Sequence, residues 1–286
     1  MLPHPSDGGE IMGHAAFTLP HRSPYLLLFA LALVVVEYLW HRHRHTDGYD
    51  LKESAASLAV AIGRLIPRAL SAAVLAPVFL WVYDHRVFTI PVEGVVSALA
   101  LILLAELVYY WFHRASHAVR WFWASHSVHH SSTRMNLTAA YRLGWTDFVS
   151  GDWVFFLIPV WLGFSPVAVV AAIALNLTYQ FFLHTEAVKT LGPLDWILNT
   201  PAHHRVHHAK NAECLDKNFG GMLIIYDRLF GTFAEAPAEA LQYGLVAKAP
   251  TANPFKIAFG EWIAMAKELV RARSPKFALR AVLGRP

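Results

Sequence analysis

Apolar residues do not alternate along most of this chain; they run in blocks. The first block spans Tyr25 to Trp40, broken only by Glu37, and ends at His41-Arg42-His43-Arg44-His45. A cleavable leader carries its charge before its apolar core. Here the charge follows, which predicts a retained transmembrane helix. A second region runs from Ser54 to Tyr83 but contains Arg64, Pro67 and Arg68, so its cleanly apolar part begins near Ala69. A third block covers Val95 to Phe112, with Glu106 inside it. No charged residue occurs from Trp153 to Leu183. About 20 residues cross a hydrocarbon core, so that stretch is too long for one helix. Pro159, Gly163 and Pro166 predict two helices, about 148–162 and 166–183, joined by a tight turn.

These blocks predict an all-α membrane protein of about four to five transmembrane or hairpin helices with a helical cap. The expected organisation is an N-terminal tail at 1–24, three membrane helices within 25–112, a polar segment at 113–147 and a hairpin at 148–184. A cap follows at 185–240, then an amphipathic region at 241–286. In that last region Ile257, Trp262, Ile263, Leu269 and Val270 are interspersed with Lys267, Arg271, Arg273, Lys276 and Arg280. Two readings fit it: a helix on the membrane surface, or a helix packed on the cap with a solvated basic face.

Composition fits the same picture. Of 286 residues 56% are hydrophobic and 15% charged, against about 25% charged in soluble domains. The mean hydropathy is +0.37. A nucleic-acid partner is not expected despite a pI near 9.2. One cysteine, Cys214, excludes a disulfide framework. Charge sets the expected sidedness. With the hairpin returning, segments 41–52, 113–147 and 185–286 share one side and hold 20 of the 24 Lys and Arg residues. The opposite side holds Arg22 and Arg86, so the positive-inside rule makes the rich side cytoplasmic.

Seventeen histidines are the unusual count, and most are clustered. His113 and His117 form HRASH; His126, His129 and His130 form HSVHH; His204, His207 and His208 form HRVHH after Thr200-Pro201, a helix start. Spacings of three and four share a helix face, so each cluster can aim two or three imidazoles at one point. His184 closes the hairpin and is a ninth candidate. One ion takes four to six ligands, so nine imidazoles imply two metal ions. Iron, copper, nickel and zinc all accept imidazole. His4, His14, His21 and His85 read as ordinary surface residues, His41–His45 as an interfacial anchor, and His203 as out of phase with its neighbours.

The order HxxxH, HxxHH, HxxHH around a hydrophobic hairpin resembles the membrane fatty acid hydroxylase/sterol desaturase superfamily. Within it, Tyr109 to Arg142 and Gln180 to Phe233 are similar to alkylglycerol monooxygenases and their bacterial relatives. The resemblance covers roughly 95–235. It implies a non-haem di-iron centre that uses O2 to hydroxylate or desaturate a lipid, in an integral protein of a bacterial inner membrane with its site on the cytoplasmic face. It assigns the two iron ions to the nine histidines above; zinc can replace iron on isolation. It also implies a glutamate after the second histidine of the first box, where this chain has Ala118. That glutamate matters in the pterin-dependent members, so Ala118 leaves tetrahydrobiopterin and an ether-lipid substrate open. No GxGxxG fingerprint is present, which points to an external electron donor, either a reduced pterin or a ferredoxin- or cytochrome-type protein on the basic surface at Arg205, Lys210 and Lys217.

Candidates for supporting roles are Glu106, two turns before His113, and Asp216 and Asn218 after the third box. Glu106 could orient a histidine through its second ring nitrogen or pair with Arg64 or Arg68. Asp216 and Asn218 could orient a histidine or cap their own turn. Asn136 and Arg142 could contact substrate, support a liganding histidine, or play a plain interfacial role. Two rival functions are a metal transporter, which needs ligands near the bilayer midplane, and a zinc-dependent lipid hydrolase, which needs an open site with a carboxylate base.

Overall fold

The computed structural model describes residues 24–246 and 248–286; the N-terminal tail, with His4, His14, His21 and Arg22, lies outside the described residues. The regular structure among the described residues is helical, and their only β pairings are isolated bridges at Leu198–Leu223 and Ala209–Tyr243. Two stretches are long and apolar enough to cross a membrane: Leu51–Asp84 and Val95–Ala118.

The first helix, α1 (Pro24–Arg44), runs through the first apolar block and on into the basic cluster. Leu28, Phe29, Val35, Val36 and Leu39 lie exposed on it, as a lipid-facing helix requires. Glu37 is instead buried, because it accepts hydrogen bonds from the Tyr49 hydroxyl (2.5 Å), the Leu137 amide (2.8 Å) and the Thr185 hydroxyl. One acid thus ties α1 to the chain after the second histidine cluster and to the end of the hairpin. Arg42 to His45 are exposed, but His41 is buried against Gly48, with its Nδ1 2.6 Å from the Thr46 hydroxyl. The anchor reading therefore fails for His41, whose ring packs the turn after α1.

The second region breaks where the sequence places its charges. α2 (Leu51–Gly63) is capped by the Asp50 side chain, and α3 (Leu65–Asp84) starts after Arg64. Arg64 donates to the Gly144 carbonyl (2.9 Å) and to Asp147 (2.5 Å), so it does not serve Glu106. α2 buries Ser54, Ala56, Ser57 and Val60. By contrast α3 exposes Leu65, Ile66, Leu70, Val74 and Trp81.

α4 (Val95–Ala118) carries the first histidine pair at its C-terminal end, and α5 (Arg120–His130) carries the second cluster. The hairpin begins with α6 (Asp147–Ser150) and a short 3-10 segment, continues as α7 (Leu157–Leu162), and returns as α8 (Pro166–Phe181). Gly163 turns it, with φ 129°. The Val87 amide bonds the Trp161 carbonyl (2.8 Å) and the Ile90 amide the Gly163 carbonyl (3.0 Å), so the tip rests on the α3–α4 connection, at the end of the bundle away from the histidines. Phe79, Val82, Leu101, Ala105, Val160, Phe164, Val169 and Ala172 form the core of this half.

The cap contains α9 (Pro201–His208) and α10 (Ile225–Phe230). α11 (Pro254–Val270) and α12 (Pro275–Leu283) complete the chain. Val60, Val128 and Ile257 join α2, α5 and α11 in a second small core.

Candidate metal centre

All nine predicted ligands converge in the described structure, and they divide into two groups. His113, His117, His126, His130 and His207 form one; His129, His184, His204 and His208 form the other. Within each group the ring nitrogens lie within 4.8 Å of one another. Helical spacing explains the sorting. His126 and His130, four apart on α5, serve the first group, and His129, one residue out of phase, serves the second. On α9 the i, i+4 pair His204 and His208 serves the second group, while His207 serves the first. The HxxHH pattern therefore feeds two neighbouring sites from one helix face. His184 arrives because the hairpin returns to the side it left.

Four rings are oriented by main-chain carbonyls. The Nδ1–H groups of His113, His129, His184 and His207 donate to the carbonyls of Phe219 (2.8 Å), Arg142 (3.1 Å), Gln180 (2.7 Å) and Lys217 (2.8 Å). A carbonyl only accepts, so in these four rings the proton is on Nδ1 and the Nε2 lone pair faces inward. The consequence is unusual for His129 and His184, whose Nε2 atoms sit 3.2 Å apart. Two inward lone pairs with no proton between them repel, and a cation removes the repulsion. Other Nε2 pairs are His113–His126 at 3.0 Å, His126–His130 at 3.2 Å, His184–His204 at 3.1 Å and His204–His208 at 3.1 Å. Metal–imidazole bonds of about 2.0–2.1 Å place adjacent donors about 3.0–3.4 Å apart. The Nε2 atoms of His117 and His207 are buried without a hydrogen-bond partner. The donor set thus fits two imidazole-bound metal ions.

Electrostatics agree. Burial pushes the pKa of His129 down to about 4 and that of His207 to about 3. His130, His204 and His208 are also depressed well below the usual histidine range, first by burial and then by neighbouring imidazoles. The neutral form, which binds metal, therefore prevails at neutral pH.

The supporting residues act differently from their sequence reading. Glu106 does not reach a histidine. Its carboxylate accepts from the Asn176 amide and from the main-chain N–H groups of Met222 (2.7 Å) and Leu223 (3.0 Å). Asn176 accepts from Gln180 (2.5 Å), and Gln180 accepts from the Tyr109 hydroxyl (3.0 Å). This buried network joins α4 to α8 one turn before His113 and His184, one ligand from each group. Asp216 and Asn218 both adopt φ 57°, on either side of Lys217. Asp and Asn tolerate that left-handed region better than most residues, and the turn they make aims the Lys217 carbonyl at His207. Asp216 Oδ1 lies 3.8 Å from His117 Nδ1, beyond hydrogen-bond reach. Asn218 instead bonds the main chain of His203 (3.1 Å) and Ala234 (2.8 Å).

Sequence reasoning missed Asp227. It is fully buried and accepts from the N–H groups of Phe219 and Gly220, each at 2.7 Å, and from the Thr232 hydroxyl (2.6 Å). It thereby holds the turn whose carbonyl orients His113. An acid inside the aromatic run IYDRLF was the available signal. Asn136 bonds the Gly48 carbonyl (2.7 Å), and the buried Arg142 side chain bonds Ser57 (2.9 Å) and Glu53 (3.3 Å), so both side chains are internal struts, while the Arg142 carbonyl supports His129. His203 is buried against Phe233 outside both groups. Ala118 is exposed at the end of α4.

Comparison with known proteins places this geometry. Residues 98–232 match the family described as Fatty acid hydroxylase, and the chain belongs to the fatty acid hydroxylase/sterol desaturase superfamily. It is 39% identical to an alkylglycerol monooxygenase of Danio rerio over 226 residues, 78% of this chain and 49% of that protein. The human alkylglycerol monooxygenase is 37% identical over 210 residues, 73% of this chain and 46% of that protein. An ornithine lipid hydroxylase of Rhizobium tropici is 30% identical over 193 residues, 65% and 56% of the two chains. The chain spans about half the length of the alkylglycerol monooxygenases it matches. No solved structure matches it.

Proposed function

We propose that this protein is a membrane-bound di-iron oxygenase that hydroxylates a lipid with O2 and electrons from an external donor. The observation that carries the reading is the convergence of nine neutral imidazoles in two adjacent groups. The relatives' names supply the reaction class and the lipid. Iron bound to the two groups would supply the oxidant for an unactivated C–H bond, chemistry that no side chain provides.

The chain's own residues supply position. His113, His117, His126, His130 and His207 would hold one ion, and His129, His184, His204 and His208 the other. The carbonyls of Phe219, Arg142, Gln180 and Lys217 keep four of those rings, His113, His129, His184 and His207, turned inward, so little reorganisation of these four accompanies metal binding. Burial keeps the histidines neutral and excludes bulk water from the centre. Lipid-facing α1, α3 and α4 bring the centre to the membrane boundary, where an acyl or alkyl chain can reach it. The positive-inside count supports a cytoplasmic face for this boundary, and the membrane we propose is a bacterial inner membrane. Lys210 and Lys217 offer a basic docking surface to a protein donor. Arg205 does not, since its guanidinium is spent on the carbonyls of Thr185 (2.8 Å) and Val188 (2.7 Å).

The test is O2-dependent conversion of lipid by iron-loaded, purified protein, supplied either with tetrahydrobiopterin or with a ferredoxin and its reductase. Oxygenated product should form with the protein donor. Product with the pterin alone would return the protein to the pterin-dependent type despite Ala118. Absence of oxygenated product with any donor, from protein holding two irons, would refute the oxygenase reading.

A further inference from the structure

At 100° per residue, α11 places Ile257, Ala258, Glu261 and Met265 on one face, and that face is buried against α5 and α2. The opposite face of a helix lying on a soluble cap would be polar. Here it is apolar: Phe255, Ile263 and Val270 are 65%, 50% and 88% exposed, with Phe259 between them. Lys256 and Lys267 flank this stripe. On α12, Leu279 and Leu283 are exposed beside Lys276 and Arg280. Residues 254–286 hold seven Lys and Arg against two Glu, and both acids are engaged by Arg120, with Lys248 also on Glu261.

The stripe is continuous with the lipid-facing surface. Trp145 meets Phe255 and Phe259 at ring distances of 5.5 and 5.7 Å. The same indole closes over Gly63 at the α2–α3 junction, where a Cβ would lie 2.1 Å from Trp145 Cζ2. Exposed Ile62, Leu65 and Ile66 begin there and lead onto the outward face of α3.

We propose that α11 and α12 form an in-plane membrane element. The Phe255–Ile263–Val270 stripe enters the headgroup–acyl boundary of a bilayer, and the flanking cations bind anionic lipid headgroups. The inference rests on the membrane reading but not on the oxygenase chemistry. It also gives α11 a task. Arg120 joins α5 to Glu261 and Glu268, and Trp262 donates to the Thr146 hydroxyl (2.8 Å). The helix that touches lipid is thus fastened to the helix bearing His126, His129 and His130, and it fixes the depth of the centre beneath the surface.

The test uses the full chain in nanodiscs of phosphatidylcholine, with or without phosphatidylglycerol. Spin labels are placed through Ile263→Cys, Val270→Cys and, as a cap control, Glu239→Cys. Collision with a water-soluble nickel chelate should be at least about tenfold lower at 263 and 270 than at 239, as for side chains held below the headgroups. Oxygen collision should show the reverse order. Exclusion should be stronger with phosphatidylglycerol, and Lys267→Glu with Arg280→Glu should remove that difference. Equal nickel access at all three sites overturns the proposal. Protection from both reagents, independent of lipid, overturns it in favour of a second copy or another protein. On the unaltered chain, a photoactivatable phospholipid should label peptides within 255–270. Label on α3 but not there would also overturn it.

Discussion

At the residue scale, main-chain carbonyls orient four of the nine converging imidazoles, those of His113, His129, His184 and His207. Side-chain identity and spacing carry the convergence itself, whereas a carbonyl leaves no mark in a sequence. His129→Ala and His207→Ala test the two groups separately. Each removes one inward Nε2, so each should lower metal content measured by elemental analysis and reduce lipid conversion at least 100-fold, beyond the 10–100-fold usual for outer partners. His43→Ala, exposed beyond the centre, should leave both unchanged. Asp227→Ala asks whether the turn at Phe219 matters. It strands two buried N–H groups at about 1–3 kcal/mol each, and it frees the carbonyl that orients His113. The expected result is a lower melting temperature together with metal affinity weakened about 10–100-fold. Unchanged affinity in a folded Asp227→Ala protein would show that the turn is structural only. A pH dependence follows from the depressed histidines. Below about pH 6.5 the unfolded chain binds protons that folded His129 and His207 refuse, so unfolding gains favour by up to about 1.4 kcal/mol per pH unit for each. The loss runs from pH 6.5 down to about 4 for His129 and about 3 for His207. Metal-free protein should therefore melt progressively lower across that window in a thermal scan. A flat melting temperature would contradict neutral burial of these rings.

At the element scale, the apolar blocks gave the helices, and the polar residues inside them gave what the blocks concealed. Arg64 marks the break between α2 and α3, since its guanidinium turns back to Gly144 and Asp147 instead of entering lipid. Glu106 and Glu37 looked alike in sequence, as single acids in apolar runs. One braces α4 against α8 and the 222–223 turn; the other braces α1 against residues 137 and 185. Their partners lie 70 or more residues away for α8 and Leu137, a distance at which one sequence offers no pairing rule. The hairpin was legible from Pro159, Gly163 and Pro166, but the short first arm was not, because a 3-10 segment occupies 152–156 before α7 begins. Gly163 is the residue on which the turn depends. At φ 129° a Cβ would be strained, and it would meet the Phe88 carbonyl oxygen at 2.4 Å. Gly163→Ala should cost about 1–3 kcal/mol, read as a fall in melting temperature. Metal content should be retained in the folded fraction, because His184 lies at the other end of α8.

At the scale of the whole molecule, sidedness decides whether there is one centre or two separated halves. The apolar runs and the Lys and Arg count were independent of the histidines, yet they assign all nine to one face, and in the structure all nine meet. What links them is the hairpin: two arms that leave and return, the second formed by the 16-residue α8. At 1.5 Å per residue that arm is about 24 Å long, short of the roughly 30 Å hydrocarbon core, so in the proposed membrane arrangement its tip at Gly163 would stop within the far half of the bilayer or thin it. The tip still reaches the α3–α4 connection, through Val87 and Ile90. Reporter fusions can read the arrangement directly. Fusions after Thr46, after His117 and at the C-terminus should report cytoplasm, and a fusion at Val87 should report the opposite side. The fusion after His117 interrupts the centre, so its topology is informative although its metal binding is not. An outside signal at the C-terminus with an inside signal after His117 would require the hairpin to cross once. That result would place His184 and the α9 histidines across the bilayer from α5, and the two-group centre could not assemble.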